Sequence, residues 1–357
     1  MMVVDELEIK TAPTTLTLGL CAIEASLRTK IKLYKKRARE VERHLAGKPE
    51  DWGKFQCEFN TEINGIFHDI MNFEKSNFNK GQAHKVYKLK RLFINKIRQL
   101  FMRGTYIEWS LRKPYGYAGD FKIIDDIYQN NPLTTGFDRL FDNYYQMSAV
   151  CVAVRNRKED FKRLIIDSIA SKKSGPIKIM NLACGSAREV KEVLSVNNIR
   201  SGKNISFDCY DNEDKAIDYA RLLLSDFSGI RFYKKNALRM AAAKNIESRS
   251  REKYDIIYST GLFDYLSHKV SAHLIRNLRK LLKNNGILAV SNMYDKYSNP
   301  SVHFMEWVGD WNLNYRTDRE FKRIFLDAGF KEKELRIQYE QQGIMQYIFA
   351  VNRQRIG

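Results

Sequence analysis

Residues 177–190 read IKIMNLACGSAREV: six mostly apolar residues, then Ala183, Cys184, Gly185, Ser186 and Ala187, then a polar start at Arg188 and Glu189. The first six suit a buried strand, because branched apolar side chains fill a pleated surface that is covered on both faces. The small residues come where that strand hands over to a helix. Little bulk at this point lets a ligand approach the backbone, and the amides of a helix start face electron-rich groups. On its own ACGSA is equally a structural turn, so the rest of the chain has to decide.

Downstream, strand-like and helix-like stretches alternate. Candidate strands are IKIMNL (177–182), ISFDCY (205–210), IRFYKK (230–235), YDIIYS (254–259), GILAVSNM (286–293), FKEKELRIQY (330–339) and MQYIFAVN (345–352). Helical patterns separate the first five: AREVKEVLSV, EDKAIDYARLLL, a weaker ALRMAAAKNIE and HKVSAHLIRNLRKLL. Repeated βα units require a mainly parallel sheet with helices on both faces. The last two strands are joined by a short turn and pair antiparallel at one edge. The fold class is therefore α/β: a Rossmann-like, mainly parallel seven-stranded sheet with an antiparallel edge hairpin.

Upstream the pattern is helical. Apolar residues recur at helical spacing in FQCEFNTEINGIFHDIMNF (55–73) and VYKLKRLFINKIRQLFM (86–102), and three or four helices are expected between 15 and 110. KPYGYAGDF (113–121) interrupts them, a helix FKIIDDIYQ (121–129) follows, and one long helix is expected from about Asp138 to Lys172. The resulting division is an N-terminal helical domain with the GYAGD segment (1–130), a helical linker (131–176) and the α/β domain (177–357).

Composition excludes several classes. The 357 residues are 44% hydrophobic, enough for a core and against wholesale disorder. No apolar run is long enough to span a bilayer; LTLGLCAIEAS (16–26) is short and holds Glu24. Five scattered cysteines without a CxxC pair point to reduced thiols in a cytoplasm and away from a zinc site or another metal. The net charge of +19 favours anionic partners in general. Its densest piece, RTKIKLYKKRAREVER (28–43), reads either as a solvated helix face or as a docking surface for a polyanion.

Two features sharpen the opening stretch. The second strand ends at an acid, Asp211, where a carboxylate accepts hydrogen bonds from a ribose diol. The fourth ends in small and polar residues, YSTGLFDYL (258–266). The GxGxxG fingerprint is absent, since Ala183 and Ala187 stand at glycine positions, which favours a nucleoside without a pyrophosphate.

Taken together, NLACGSA, Asp211, Asn236-Ala237 and YDIIYSTGLFDYL resemble the motifs of class I S-adenosylmethionine-dependent methyltransferases, with Asn181 in the usual acidic position. KPYGYAGDFKIIDDIY (113–128), AVRNRKEDFKRLI (153–165) and HFMEWVGDWNLNYRT (303–317) resemble a bacterial subgroup that includes enzymes of 3-hydroxypalmitic acid methyl ester biosynthesis. The resemblance implies S-adenosylmethionine as cofactor, bound by Asn181, Ala183, Cys184, Gly185 and Ser186 in the turn, Asp211 and Asn212 at the ribose, Asn236 and Ala237 at adenine, and Ser259, Thr260 and Gly261 after the fourth strand. Tyr117, Gly119 and Asp120 of GYAGD would cap its methionine end, with the Tyr117 face near the sulfonium. Arg155 and Arg157 either hold the cofactor carboxylate or form a solvated helix face.

The segment after the fifth strand (291–318) is rich in aromatic residues and lies where this fold admits acceptors. Phe263, Tyr265, Asn292, Trp307, Trp311 and Tyr315 are expected around the substrate, with Arg316 pairing a small acidic or fatty-acid-like acceptor. His303 reads as a base at the rim or as a structural histidine, and Tyr117 and His303 are the candidate catalytic groups. Carboxyl O-methylation is the favoured reaction. Three alternatives remain: attack of the cofactor's own amine on its carboxypropyl carbon with release of methylthioadenosine, methylation of RNA or protein docked on the basic helices, and a non-catalytic cofactor-binding regulator. Nucleic acid is disfavoured as a partner because no RNA-binding module is legible.

Overall fold

The computed structural model describes residues 15–172, 174–196, 204–246 and 252–353, with side chains from residue 22 onward. Two compact units are present. One holds the described residues up to Arg103 together with Thr134–Phe141; the other holds Gly104–Leu133 and the described chain from Asp142 onward. GYAGD therefore groups with the second unit and not with the N-terminal helices. Residues 1–14 of the expected helical domain, and the thiol of Cys21, lie outside the described residues. Cys57, Cys151, Cys184 and Cys209 are free thiols.

The first unit is built on α1 (Thr15–Gly47), α2 (Gly53–Asn79) and α3 (Ala83–Lys96). Leu27, Ile31, Tyr34, Val41 and Leu45 of α1 are buried, the spacing of a single helical face. They meet Phe59, Phe67, Phe93 and Phe101, with Tyr34 against Phe101 at 5.3 Å and Phe67 against Phe101 at 5.4 Å between ring centroids. On the same helix Lys32, Lys35, Lys36, Arg39 and Arg43 are exposed. Among the described residues no helix is long and apolar enough to cross a membrane.

The second unit begins with α4 (Thr105–Arg112), α5 (Phe121–Gln129) and the later part of α6 (Gly136–Met147), followed by α7 (Ala149–Ser171). The single long helix expected from Asp138 to Lys172 is in fact α6 and α7, broken at Ser148. There ψ swings to 146°, and the Ser148 hydroxyl donates to Tyr145 O at 2.6 Å, a local bond that replaces helix continuation.

The sheet then forms from β1 (Ile177–Leu182), β2 (Ile205–Asp211), β3 (Ile230–Lys234), β4 (Tyr254–Ser259), β5 (Leu282–Met293), β6 (Leu335–Tyr339) and β7 (Met345–Val351), in the order β3-β2-β1-β4-β5-β7-β6. The first five pair in parallel and β7 runs antiparallel to both β5 and β6, as the alternation of apolar runs leads one to expect. Helices α8 (Arg188–Leu194), α9 (Asp214–Leu223), α10 (Ala237–Ala242), α11 (His268–Lys280) and α12 (Asp318–Asp327) connect the strands. One core cluster packs α11 and α12 (Leu274, Leu278, Phe321, Phe325) on Ile257, Leu288 and Ile348 of the sheet.

Two strand starts differ from the sequence reading. β5 starts four residues earlier, with a register shift against β4. β6 starts only at Leu335, because the Glu334 carboxylate accepts from Lys331 N–H at 2.7 Å and closes a 3-10 turn at Glu332–Glu334.

Candidate active site

Strand order reverses direction between β1 and β4, the place where an open α/β sheet leaves a crevice at its carboxyl ends. A cavity of about 430 Å³ opens there, a size suited to a small ligand.

The turn after β1 forms one wall. Ala183, Gly185 and Ala187 all have positive φ, at 56°, 53° and 51°. The backbone thus adopts the left-handed conformation that glycine accepts freely, and two alanines hold it at a cost of about 1–2 kcal/mol each. Its geometry is secured by Asp211, whose Oδ2 accepts the Gly185 N–H at 2.9 Å while Oδ1 accepts the N–H groups of Asn212 at 2.7 Å and Glu213 at 3.0 Å. Burial pushes the Asp211 carboxyl above the usual range, against the pull of these three amides.

Of the residues expected around the cofactor, Tyr117, Gly119, Ala183, Cys184, Gly185, Ser186, Asp211, Asn212, Asn236, Ala237, Thr260 and Gly261 line this one cavity. Three do not. Asp120 is fully buried and caps α5, accepting the N–H groups of Lys122 and Ile123 and the Trp109 indole N–H. Asn181 lies behind the turn and donates to Glu189 Oε1 at 2.8 Å. Ser259 is buried outside the lining.

The two arginines of α7 part company. Arg155 donates to Ile127 O, Gln146 O and Gln146 Oε1, tying helices together. Arg157 lines the cavity, is 4% exposed, and its Nε has no hydrogen-bond partner among the described residues. Its terminal nitrogens stand 3.9 Å from where a Cβ on Gly261 would be. Glu189 lines the same wall and accepts from Asn181 and from the Tyr258 hydroxyl, both at 2.8 Å. Neither the Glu189 role nor a buried Asp264 on the lining follows from sequence spacing; the signal available was that both are acids in the segments that follow β1 and β4.

The acceptor side departs more from expectation. Tyr265 and Trp311 line the cavity, joined by the Trp311 indole N–H donating to the Tyr265 hydroxyl at 2.8 Å, and Tyr117 meets Tyr265 edge-on at 5.7 Å. Phe263, Asn292, Trp307 and Tyr315 are outside the lining. Phe263 belongs to the core cluster, and Trp307 packs on His303 at 5.4 Å. His303 is fully buried away from the cavity, so it is no rim base. Arg316 is a correction of the same kind. Its guanidinium donates to Phe263 O at 2.8 Å, to Leu266 O and to Asn292 Oδ1, so its fork is engaged inside the protein and is not offered to a ligand.

Residues 180–288 match a family model described as "Methyltransferase domain". No curated protein matches the chain. Among solved structures, a protein of Bordetella parapertussis described as a possible exported protein aligns over 96% of this chain and 98% of its own, at 16% identity and a TM-score of 0.54. That likeness shows the fold. A citrinin polyketide synthase CMeT domain aligns over 68% of this chain and 58% of its own, at 14% identity and a TM-score of 0.46. The magnesium protoporphyrin IX methyltransferase of Synechocystis PCC 6803, with S-adenosylmethionine bound, aligns over 58% and 84%, at 14% identity and a TM-score of 0.39.

Proposed function

We propose that this chain, a class I S-adenosylmethionine-dependent methyltransferase, methylates a small and largely apolar acceptor inside the cavity at the end of β1 and β4. One observation carries the reading. The same lining joins a strand-end carboxylate, Asp211, a buried guanidinium with an unsatisfied Nε, Arg157, and an aromatic wall of Tyr117, Tyr265 and Trp311.

The residues suit the cofactor. Asp211 and Asn212 would hold the ribose, Asn236 and Ala237 the adenine, and Arg157 with the Thr260–Gly261 backbone the carboxylate of the methionine part. When bound, S-adenosylmethionine supplies a methyl group on a cationic sulfur. The chain's own contribution is to orient, to exclude water and to present aromatic faces to a cation, since methyl transfer depends on alignment of the reacting atoms. Leu266, Leu313 and Trp311 offer the acceptor an apolar wall. The carboxylate anchor expected at Arg316 drops out of the reading, so carboxyl O-methylation loses its principal support.

Calorimetry on the full chain and analysis of the nucleoside product test this. S-adenosylmethionine and S-adenosylhomocysteine should bind, and Asp211→Ala should weaken both by about 1.5–3 kcal/mol, because a charged hydrogen-bond partner is lost. Absence of binding would sink the reading. Methylthioadenosine formed from the cofactor alone would replace methyl transfer by intramolecular cyclisation.

A further inference from the structure

We propose that Asp264 is the acceptor-binding base of this site, and that the acceptor is a primary amine or a hydroxyl compound with a flat apolar body. The inference deepens the methyltransferase reading and rests on it.

Asp264 follows β4 in a single 3-10 turn, Phe263–Tyr265, and is 4% exposed. Oδ1 accepts the Met293 N–H at 2.7 Å and the Asn292 side-chain amide, and the Asp264 carbonyl accepts the Asn314 N–H at 2.7 Å. The residue is thereby fixed from the end of β5 and from the segment beyond it. Among the described residues nothing donates a hydrogen bond to Oδ2, and the residue lines the cavity. A carboxylate buried to this degree ordinarily has both oxygens satisfied, so a bare one on a cavity wall is an acceptor awaiting a donor.

Of the other lining acids, Asp211 has both oxygens taken by backbone amides, and Glu189 is tied to β1 and β4 by the Asn181 amide and the Tyr258 hydroxyl, both of which donate to Oε1. Burial raises the Asp264 carboxyl above its usual range, and the Met293 amide, the Arg157 charge, the Asn292 amide and the Arg316 charge oppose that rise. The side chain is held as a base and not as an inert ion pair. Around it stand Tyr265, Leu266, Trp311 and Leu313, which suit a planar apolar group.

A carboxylate acceptor needs no base and would meet Asp264 as a like charge. An amine or hydroxyl has a proton to lose. The acceptor gives that proton to Oδ2, keeps the electron pair, and with it takes the methyl carbon from sulfur, which retains the pair of the broken C–S bond. The proton then leaves Oδ2 for solvent.

The test uses the full chain saturated with S-adenosylhomocysteine and three probes of one shape: benzylamine, benzyl alcohol and benzoate. By calorimetry benzylamine and benzyl alcohol should bind, with benzoate at least about tenfold weaker. Asp264→Asn keeps Oδ1 as acceptor for Met293 and Asn292 but turns Oδ2 into a donor. It should lose at least about tenfold in benzylamine affinity while binding S-adenosylhomocysteine as the parent does. Benzoate equal to or tighter than benzylamine, no benzylamine binding by the parent, or benzylamine affinity unchanged in Asp264→Asn overturns the proposal. The comparison of probes on the parent protein decides even if the variant fails to fold. Failure to bind S-adenosylhomocysteine at all is a separate outcome, and it counts against the methyltransferase reading itself.

Discussion

Gly119 has no room for a side chain, and the consequence can be worked out from the structure. A Cβ built there would lie 2.4 Å from Trp311 Cζ2, 2.7 Å from Trp311 Cε2 and 2.7 Å from the Tyr265 hydroxyl. Carbon atoms pack at about 3.5–4.0 Å, so Gly119→Ala forces the indole back by about 1 Å. Trp311 is 5% exposed and its N–H is tied to Tyr265 at 2.8 Å, so it cannot simply swing into solvent. Overpacking costs about 1–3 kcal/mol, and losing the indole–hydroxyl bond adds about 0.5–1.5 kcal/mol. Thermal unfolding should therefore begin several degrees lower, with a total loss of about 1.5–4.5 kcal/mol. The cavity's aromatic wall should be displaced while the Asp211 side stays intact, so cofactor affinity should change less than probe binding. A double-mutant cycle with Trp311→Leu isolates the clash. With the indole gone, the alanine should cost at least about 1 kcal/mol less than in the parent, because the two sites are coupled through direct contact and only the Tyr265 hydroxyl, released from the indole, is left to shift. Gly119→Ala melting with the parent, or costing the same in both backgrounds, would refute the argument.

Asp125 is fully buried and accepts from Arg188 through both oxygens, at 2.6 and 2.7 Å, and from the Tyr219 hydroxyl at 2.7 Å, pinning α5 to the start of α8. Burial raises its carboxyl, but the Arg188 and Tyr219 hydrogen bonds and the Arg188 charge outweigh that and leave it below the usual range. Its stabilisation is therefore complete above the unfolded carboxylate value of about 4 and is lost as pH falls through the lower folded value. Asp125→Asn should cost about 3–5 kcal/mol at pH 7, and the gap between parent and variant in melting experiments should close on acidification; a gap independent of pH would contradict this. Arg316→Lys should lower the melting temperature, since one ammonium cannot replace the fork that reaches Phe263 O, Leu266 O and Asn292, while leaving S-adenosylhomocysteine affinity at the parental value; calorimetry and thermal melts check both halves.

The strands, their order of appearance and the place of the cavity-lining turn were legible because their signals are local. A run such as IKIMNL carries its own burial pattern, and a chain of βα units admits few topologies. Asp211 was legible for the same reason, as an acid at the end of a strand that begins beside β1. The break at Ser148 was not, because helical periodicity continues through it and what marks it is hydrogen bonding, from the Ser148 hydroxyl to Tyr145 O and from the Ala149 N–H to the distant Ser301 hydroxyl.

What tertiary structure decided was direction. Arg155 and Arg157 are two residues apart on one helix, so their side chains diverge by about 200°; one ties helices together and the other enters the cavity. The aromatic segment after β5 was correctly marked as unusual, yet composition could not tell Trp311, which faces the cavity, from Trp307, which is buried on His303. Ala183 and Ala187 hide the glycine signature in sequence, and the sheet and the Asp211 hydrogen bond nevertheless impose the glycine conformation on the turn. Arg316 and Asp264 exchanged importance for one reason. A charged side chain serves a ligand only with the hydrogen-bonding capacity its neighbours leave over, and the partners that engage Arg316 and Asp264 come from segments 24 to 53 residues away. The sequence by itself determined the sheet and the kind of turn it carries; which polar atoms were left facing the cavity was settled only by packing.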